Sequence, residues 1–337
     1  MVSSSTSEDV ARKAGVSVAT VSRVLNDSPH VSPAVRRKVL RAAKALNYQP
    51  NRTAQRLRAK RSHVIGLVIS DIQNPFFTSV VRGIEDVAYK HDYSVVLCNS
   101  DEDPEKERLY INVMRAEAVA GVILASTSES NPLVADLFDH DIPVVAIDRR
   151  IKDKRVDSVL AANTQGAFQA VSHLIALGHR RIGFVGLPLT RTTGKERYDG
   201  YARALRAHGL SVSRQLVRIA DAKQQGGYQR AIDLMTERPS ITALFVANNL
   251  MTLGALSAIR ERGMKIPDDI SVVGFDDMPW ATLLEPPLTA VAQPTYELGQ
   301  RAAELLLERL KQPQKPAAQI ELKTSLIVRG STRPLDK

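Results

Sequence analysis

From Val64 onward the chain repeats one pattern, a short continuous apolar run followed by a longer amphipathic stretch. The runs are Val64–Ser70, Tyr93–Cys98, Gly121–Ala125, Pro143–Ile147, Arg181–Gly186, Leu216–Ala220, Ala243–Ala247 and Ser271–Gly274. Runs of this kind suit strands covered on both faces. The stretches between them, such as Thr78–His91, Pro104–Glu117, Gly166–Leu177, Lys195–His208, Gly226–Glu237 and Met251–Arg262, read as helices. Strand and helix in alternation specify doubly wound parallel sheets. Roughly eight units occur, four on either side of Ala162, which predicts two similar α/β subdomains facing each other across a cleft. The late segments Leu288–Gln293, Thr295–Leu310, Ile320–Lys323 and Ser325–Val328 are expected to recross between them.

The first fifty residues have a different texture. In Glu8–Gly15, Val10, Ala11 and Ala14 form one apolar stripe, Gly15 can take the positive φ that ends a helix, and Ser17 is a natural N-cap for the next. On that second helix Val21, Val24 and Leu25 face inward. Val18, Ala19, Ser22 and Arg23 stay outward, flanked by Thr20 and Asn26. Small residues at a helix start, followed by an arginine one turn on, suit a helix whose N-terminal end enters the major groove of DNA. An amphipathic hairpin packing on a core is the plainer alternative. A third helix is expected from Ser32 and Pro33 to about Leu46, with Arg36, Arg37, Lys38, Arg41 and Lys44 mostly outward. The basic piece Arg52–Arg61 is too short and too charged to form a stable helix alone, and is expected to fold only when DNA and a partner chain hold it.

The location of the charge favours DNA. Residues 1–61 hold 13 Lys/Arg against 3 acids, whereas residues 62–337 hold 33 of each, so the whole net charge of +10 lies with the helical headpiece. The expected domains are a headpiece over 1–50, a hinge over 51–61, one core subdomain from 62–161 plus about 292–323, and a second from 162–291 plus about 324–337. With 44% apolar residues the chain can bury more than one core. It has no membrane-length apolar run and no signal-peptide core near Met1, so a cytoplasmic protein with no membrane partner is expected. The single cysteine, Cys98, excludes an internal disulfide and reads as a small buried hydrophobe.

The sequence resembles the LacI/GalR family of bacterial transcription repressors along nearly its full length. The match runs through Asp9-Val10-Ala11, Ala14-Gly15-Val16-Ser17, Thr20-Val21-Ser22-Arg23-Val24-Leu25-Asn26, Val31-Ser32 and Leu46-Asn47-Tyr48-Gln49-Pro50-Asn51. It continues in Gly178-His179-Arg180-Arg181-Ile182-Gly183, Arg197 with Gly200-Tyr201, Gly254-Ala255-Leu256, Ser271-Val272-Val273-Gly274-Phe275-Asp276-Asp277 and Pro287-Leu288-Thr289. The resemblance implies an all-α helix-turn-helix headpiece followed by a periplasmic-binding-protein-like α/β core. It also implies a homodimer on a roughly palindromic double-stranded DNA operator, with half-sites about one helical turn apart. It places base reading on Val18, Ala19 and Arg23, further DNA contacts on Thr20, Ser22, Asn26 and Asn51, and a minor-groove wedge on Leu57. Since Val18 and Ala19 cannot make bidentate hydrogen bonds, Arg23 is the strong base-edge donor among the reading positions.

The resemblance further implies a small effector in the cleft, where open α/β sheets also place their ligands. After the first strand Asp71 and Asn74 offer polar contacts, and Phe76 and Phe77 an aromatic wall. Asp148 and Arg149 follow the fourth strand and could bridge vicinal hydroxyls, while Arg197, Asn249, Asp276 and Gln293 come from the second subdomain and its crossover. Trp280 offers a ring for stacking, with core or dimer packing as the alternative. Two departures from the family pattern, Ala162 and Asn248-Asn249, remove acids from the cleft and make a sugar acid an option beside a neutral sugar. The expected function is repression of carbohydrate genes, relieved when the effector binds. The alternatives are a corepressor-type regulator answering to a purine or other metabolite, a soluble sugar-binding protein, or an enzyme. Against an enzyme, the sequence holds no Gly-x-Gly-x-x-Gly, P-loop or Gly-x-Ser-x-Gly motif, and its seven histidines lack metal-ligand spacing, so no cofactor and no metal are expected.

Overall fold

The computed structural model describes residues 5–25, 30–48 and 62–335. Contacts divide the chain after Ser62 into an N-terminal and a C-terminal unit. In the N-terminal unit, α1 (Ser7–Ala14) opens on a capping box in which Thr6 Oγ1 accepts from Asp9 N at 3.2 Å and Asp9 Oδ2 accepts from Thr6 N at 2.9 Å. It ends at Gly15, at φ +67°. The next helix, α2 (Val18–Leu25), starts where Ser17 Oγ accepts from Thr20 N at 3.2 Å, and α3 (Pro33–Ala45) follows Ser32. Val10, Ala11, Val21, Val24, Val39, Ala42 and Ala43 close one small core. The periodic positions are thus the buried ones.

The C-terminal unit is two α/β lobes. The first sheet comprises β1 (Val64–Ile69), β2 (Ser94–Asn99), β3 (Gly121–Leu124), β4 (Val144–Ile147), β5 (Asp157–Ala161) and β11 (Gln319–Leu322), in the order β11-β5-β4-β3-β1-β2 and parallel throughout. One face, with Leu67, Ile123 and Val145, is covered by α4 (Pro75–Lys90) and α11 (Thr295–Lys311). The other, with Val68, Val122 and Val144, is covered by α5 (Pro104–Ala116) and α6 (Pro132–Asp139). Burial on both faces explains the continuous apolar runs.

The second sheet comprises β6 (Ile182–Gly186), β7 (Val217–Ile219), β8 (Ala243–Val246), β9 (Ser271–Phe275), β10 (Thr289–Ala292) and β12 (Ser325–Ile327). Its order is β12-β10-β9-β8-β6-β7, with β12 antiparallel to β10 and the other pairs parallel. The helices α7 (Asn163–Ala176) and α8 (Thr192–Ala207) cover one face; α9 (Gln224–Met235) and α10 (Asn249–Glu261) cover the other. The chain passes between the sheets after β5, after β10 and after β11. Where α4 and α11 cross, a Cβ on Gly83 would lie 2.2 Å from Tyr296 O and one on Gly299 2.1 Å from Val80 O, so two glycines permit the close approach.

Two expectations are corrected. The strand β5 was not among those the apolar runs mark, because it begins with Asp157-Ser158 and only Val159-Leu160-Ala161 is apolar. Asp157 is nonetheless buried, held by Arg309 of α11 through two 2.9 Å hydrogen bonds. Several helices also begin two or three residues before the periodicity suggests. The helix α4 starts at Pro75, not Thr78, because Asn74 Oδ1 caps Phe76 N at 2.9 Å and proline suits the first turn. That turn sets Phe76 and Phe77 beside Asp71. No described helix is long and apolar enough to cross a membrane.

Candidate nucleic-acid interface and ligand cleft

On α2 the side chains that do not enter the headpiece core form one surface. Val18, Ala19 and Arg23 are exposed, while Thr20 and Ser22 are partly buried at its edge, with Thr20 Oγ1 2.9 Å from Ser17 Oγ. Arg37, Lys38, Arg41 and Lys44 are exposed on α3. Val18, 37% exposed, is the large apolar member of the α2 surface, and the charge around it is basic. Asn26, Asn51 and Leu57 lie outside the described residues.

Between the lobes, at the C-terminal ends of the strands, lies a narrow cavity of about 30 Å³, room for a water or two with the lobes in this arrangement. The first lobe lines it with Asp71, Asn74, Phe76, Phe77, Glu102, Asp148 and Arg149; the second with Leu187, Thr193, Arg197, Ala222, Lys223, Asn248 and Asp276. Asp148 follows β4 and Asp276 follows β9, and both adopt the left-handed region, at φ +66° and +76°. That conformation is uncommon for a residue with a Cβ, and such strain gathers at binding sites. Each lobe therefore presents an aspartate at its strand end.

The cations are held firmly. Arg149 donates from Nη1 to Glu102 Oε2 at 2.9 Å and to Ser126 O at 3.2 Å, from Nη2 to Glu102 Oε1 at 2.5 Å, and its Nε lies 3.4 Å from Asp148 Oδ2. Arg197 stacks over Phe275, 3.8 Å from the ring centroid, while Nε donates to Asn163 Oδ1 at 2.9 Å and Nη1 to Ala247 O at 2.8 Å. Asp276 Oδ2 is 3.9 Å from Arg197 Nη1. Phe76 and Phe77 meet edge to face at 5.0 Å. Burial pushes the Asp148 carboxyl up to about 6, against the pull of Arg149 and Arg197 and with help from Asp276 and Glu102. Burial also acts to raise Glu102, but Arg149, Arg191 and Lys223 outweigh it and hold that carboxyl below its ordinary value.

Three expected cleft residues stand behind the lining. Asn249 is buried and donates from Nδ2 to Asn74 Oδ1 at 2.8 Å, linking the lobes, while Gln293 Nε2 donates to Asp276 Oδ1. Both therefore reach the cavity through other side chains. Trp280 lies on a short 3-10 turn and packs beside the core of the second lobe, away from the lining. In turn, Glu102 and Lys223 line the cavity but were not singled out from the sequence. The strand-end rule would have reached both, since they follow the edge strands β2 and β7.

A family model for bacterial regulatory proteins of the lacI family matches residues 6–51, and one for a periplasmic binding protein-like domain matches residues 171–332. The chain is 38% identical to the ribose operon repressor of Halalkalibacterium halodurans, over 97% of each chain. The chain belongs to the LacI family. It is a DNA-binding transcriptional repressor, and LacI-family regulators are not enzymes. Among its other LacI-family relatives is the repressor PurR of Mannheimia succiniciproducens, 33% identical over 98% of this chain and 99% of that one. Among solved structures, the lac repressor dimer bound to operator and the anti-inducer ONPF aligns with a TM-score of 0.85 at 32% identity, covering 98% of this chain and 99% of that one. The complex of the regulator CelR with cellobiose aligns with a TM-score of 0.75 at 36% identity, covering 97% and 99%.

Proposed function

We propose that this repressor binds a palindromic operator as a homodimer and releases it when a neutral saccharide enters the cleft. The observation that carries the reading is the pair of aspartates, Asp148 and Asp276, presented from opposite lobes beside the Phe76–Phe77 wall. Carboxylates accept hydrogen bonds from sugar hydroxyls, and an aromatic wall covers the apolar face of a sugar ring. The neutral form is favoured over a sugar acid because the cleft cations already have acidic partners, Arg149 in Glu102 and Lys223 in Asp71. The charge removed at Ala162 and Asn249 is thus offset by Glu102. Val18, Ala19 and Arg23 read bases, and Thr20, Ser22, Asn26, Asn51 and Leu57 complete the contact with DNA. A ligand that prefers one arrangement of the lobes shifts DNA affinity by its differential affinity for the two states.

Calorimetric titration of the full chain with D-ribose, cellobiose, D-glucuronate and hypoxanthine tests the effector class. A neutral sugar is expected to bind and to lose its affinity in Asp276→Asn. Binding by glucuronate or hypoxanthine alone would refute the neutral-saccharide reading, and hypoxanthine binding would support the alternative of a regulator that answers to a purine.

A further inference from the structure

The mouth of the cleft is crossed by polar contacts from opposite lobes. Arg191 Nη1 lies 3.2 Å from Glu102 Oε2, Thr192 Oγ1 donates to Glu129 Oε1 at 2.8 Å, and Arg150 Nη2 lies 3.1 Å from Glu196 Oε1. Of the cations in these contacts, Lys223 lines the cavity and also ties down the opposite lobe. From the loop between β7 and α9 its Nζ donates to Asp71 Oδ2 and to Asp101 Oδ1, each at 2.7 Å. The two carboxylates differ in setting. Asp71 is buried in the cavity wall, whereas Asp101 sits on an exposed turn outside it. Separating the lobes would take the Lys223 ammonium from Asp71, which would then be met by water and by Gln73 N, its donor at 2.9 Å within the first lobe. The Lys223 side chain is 35% exposed and that of Asp101 43%, so the bridge is reached by solvent and screened by salt.

We propose that Lys223 is a latch that draws the two lobes together through protein contacts alone, so that closure of the cleft answers to ionic strength before any ligand enters. The proposal rests on the reading of this cleft as the effector site and describes the regulation of that site. Asp101→Asn loosens the latch without altering the cavity lining, at the cost only of an exposed pair with Lys106, 3.7 Å away in its own lobe.

Hydrogen-exchange mass spectrometry on the ligand-free full chain tests the latch. The wild type, Lys223→Met, Lys223→Arg and Asp101→Asn are compared at low and high salt, following residues 71–77 of the first lobe and 220–225 of the second. At low salt, exchange in both segments is expected to quicken about two- to fivefold in Lys223→Met and Asp101→Asn, the size of an exposed ion pair. Lys223→Arg should stay near the wild type, and the wild type should approach the variants at high salt. Faster exchange confined to the lobe that carries the substitution, or unchanged exchange in both variants, would overturn the latch. As no ligand is used, failure of the saccharide reading leaves this result intact, and failure of the latch leaves the saccharide titration intact.

Discussion

Replacing Asp148 with asparagine isolates the strain that the cleft imposes on one carboxylate. The side chain is buried, and its carboxyl is raised from 3.8 to about 6. At 1.36 kcal/mol per unit, a shift of that size corresponds to about 3 kcal/mol between ionised and neutral forms. The folded protein holds this proton more tightly than the unfolded chain does. Its contribution to stability is therefore fully present below 3.8, is lost as pH rises through about 6, and is absent above that. Asp148→Asn does not titrate, so at about pH 8 it is expected to be more stable than the wild type by up to about 3 kcal/mol, with the gain vanishing near pH 4. Urea unfolding across that pH range, read as the difference between variant and wild type, gives the comparison. A pH-independent difference, or a variant less stable at the alkaline end, would show that Arg149 and Arg197 overcome the effect of burial.

Three further outcomes are expected. Arg23→Ala should cost about 1–3 kcal/mol on a selected operator and much less on random DNA, measured by anisotropy at fixed salt; equal losses on both would remove Arg23 from base reading. His179 is buried against Thr242, Ser271 and Arg333 O, and burial lowers its pKa, so it supports stability above 6.5 and loses that contribution as pH falls through its lowered folded value. His179→Gln should flatten that acid limb in a thermal-melt series, and an unchanged limb would contradict the assignment. Gly83→Ala should destabilise the first lobe by roughly 1–3 kcal/mol through overlap with Tyr296 O, and an unaltered urea midpoint would show that α4 and α11 can separate freely.

Local signals made the headpiece legible. Apolar periodicity, Gly15 and the Ser17 and Ser32 caps all act within a few residues, and they marked the helices found there. The core sheets were legible because strands covered on both faces leave continuous apolar runs. The strand β5 escaped because its first residue is an aspartate whose partner, Arg309, is 152 positions away. Long-range pairing also changed the reading of the cleft. Counting Asp71, Asp148 and Asp276 against Arg149 and Arg197 left a sugar acid open, but the fold adds Glu102, 47 positions from Arg149, and Lys223, 152 positions from Asp71. Both follow edge strands, of which β7 is only three residues long, so their loops carried a weak signal. For Trp280 an aromatic near the strand end was suggestive, but the 3-10 turn directs it toward the core of its own lobe.

Operator release by a neutral sugar tests the account most directly. A duplex selected by the protein from random DNA would be labelled, bound by the full chain and titrated with D-ribose or cellobiose at constant salt while anisotropy is followed. The account predicts that a sugar able to bind the cleft lowers anisotropy with a midpoint matching its calorimetric affinity, and that Asp276→Asn keeps DNA binding but loses the response. Tighter DNA binding on adding that sugar, or release that persists unchanged in Asp276→Asn, would contradict it.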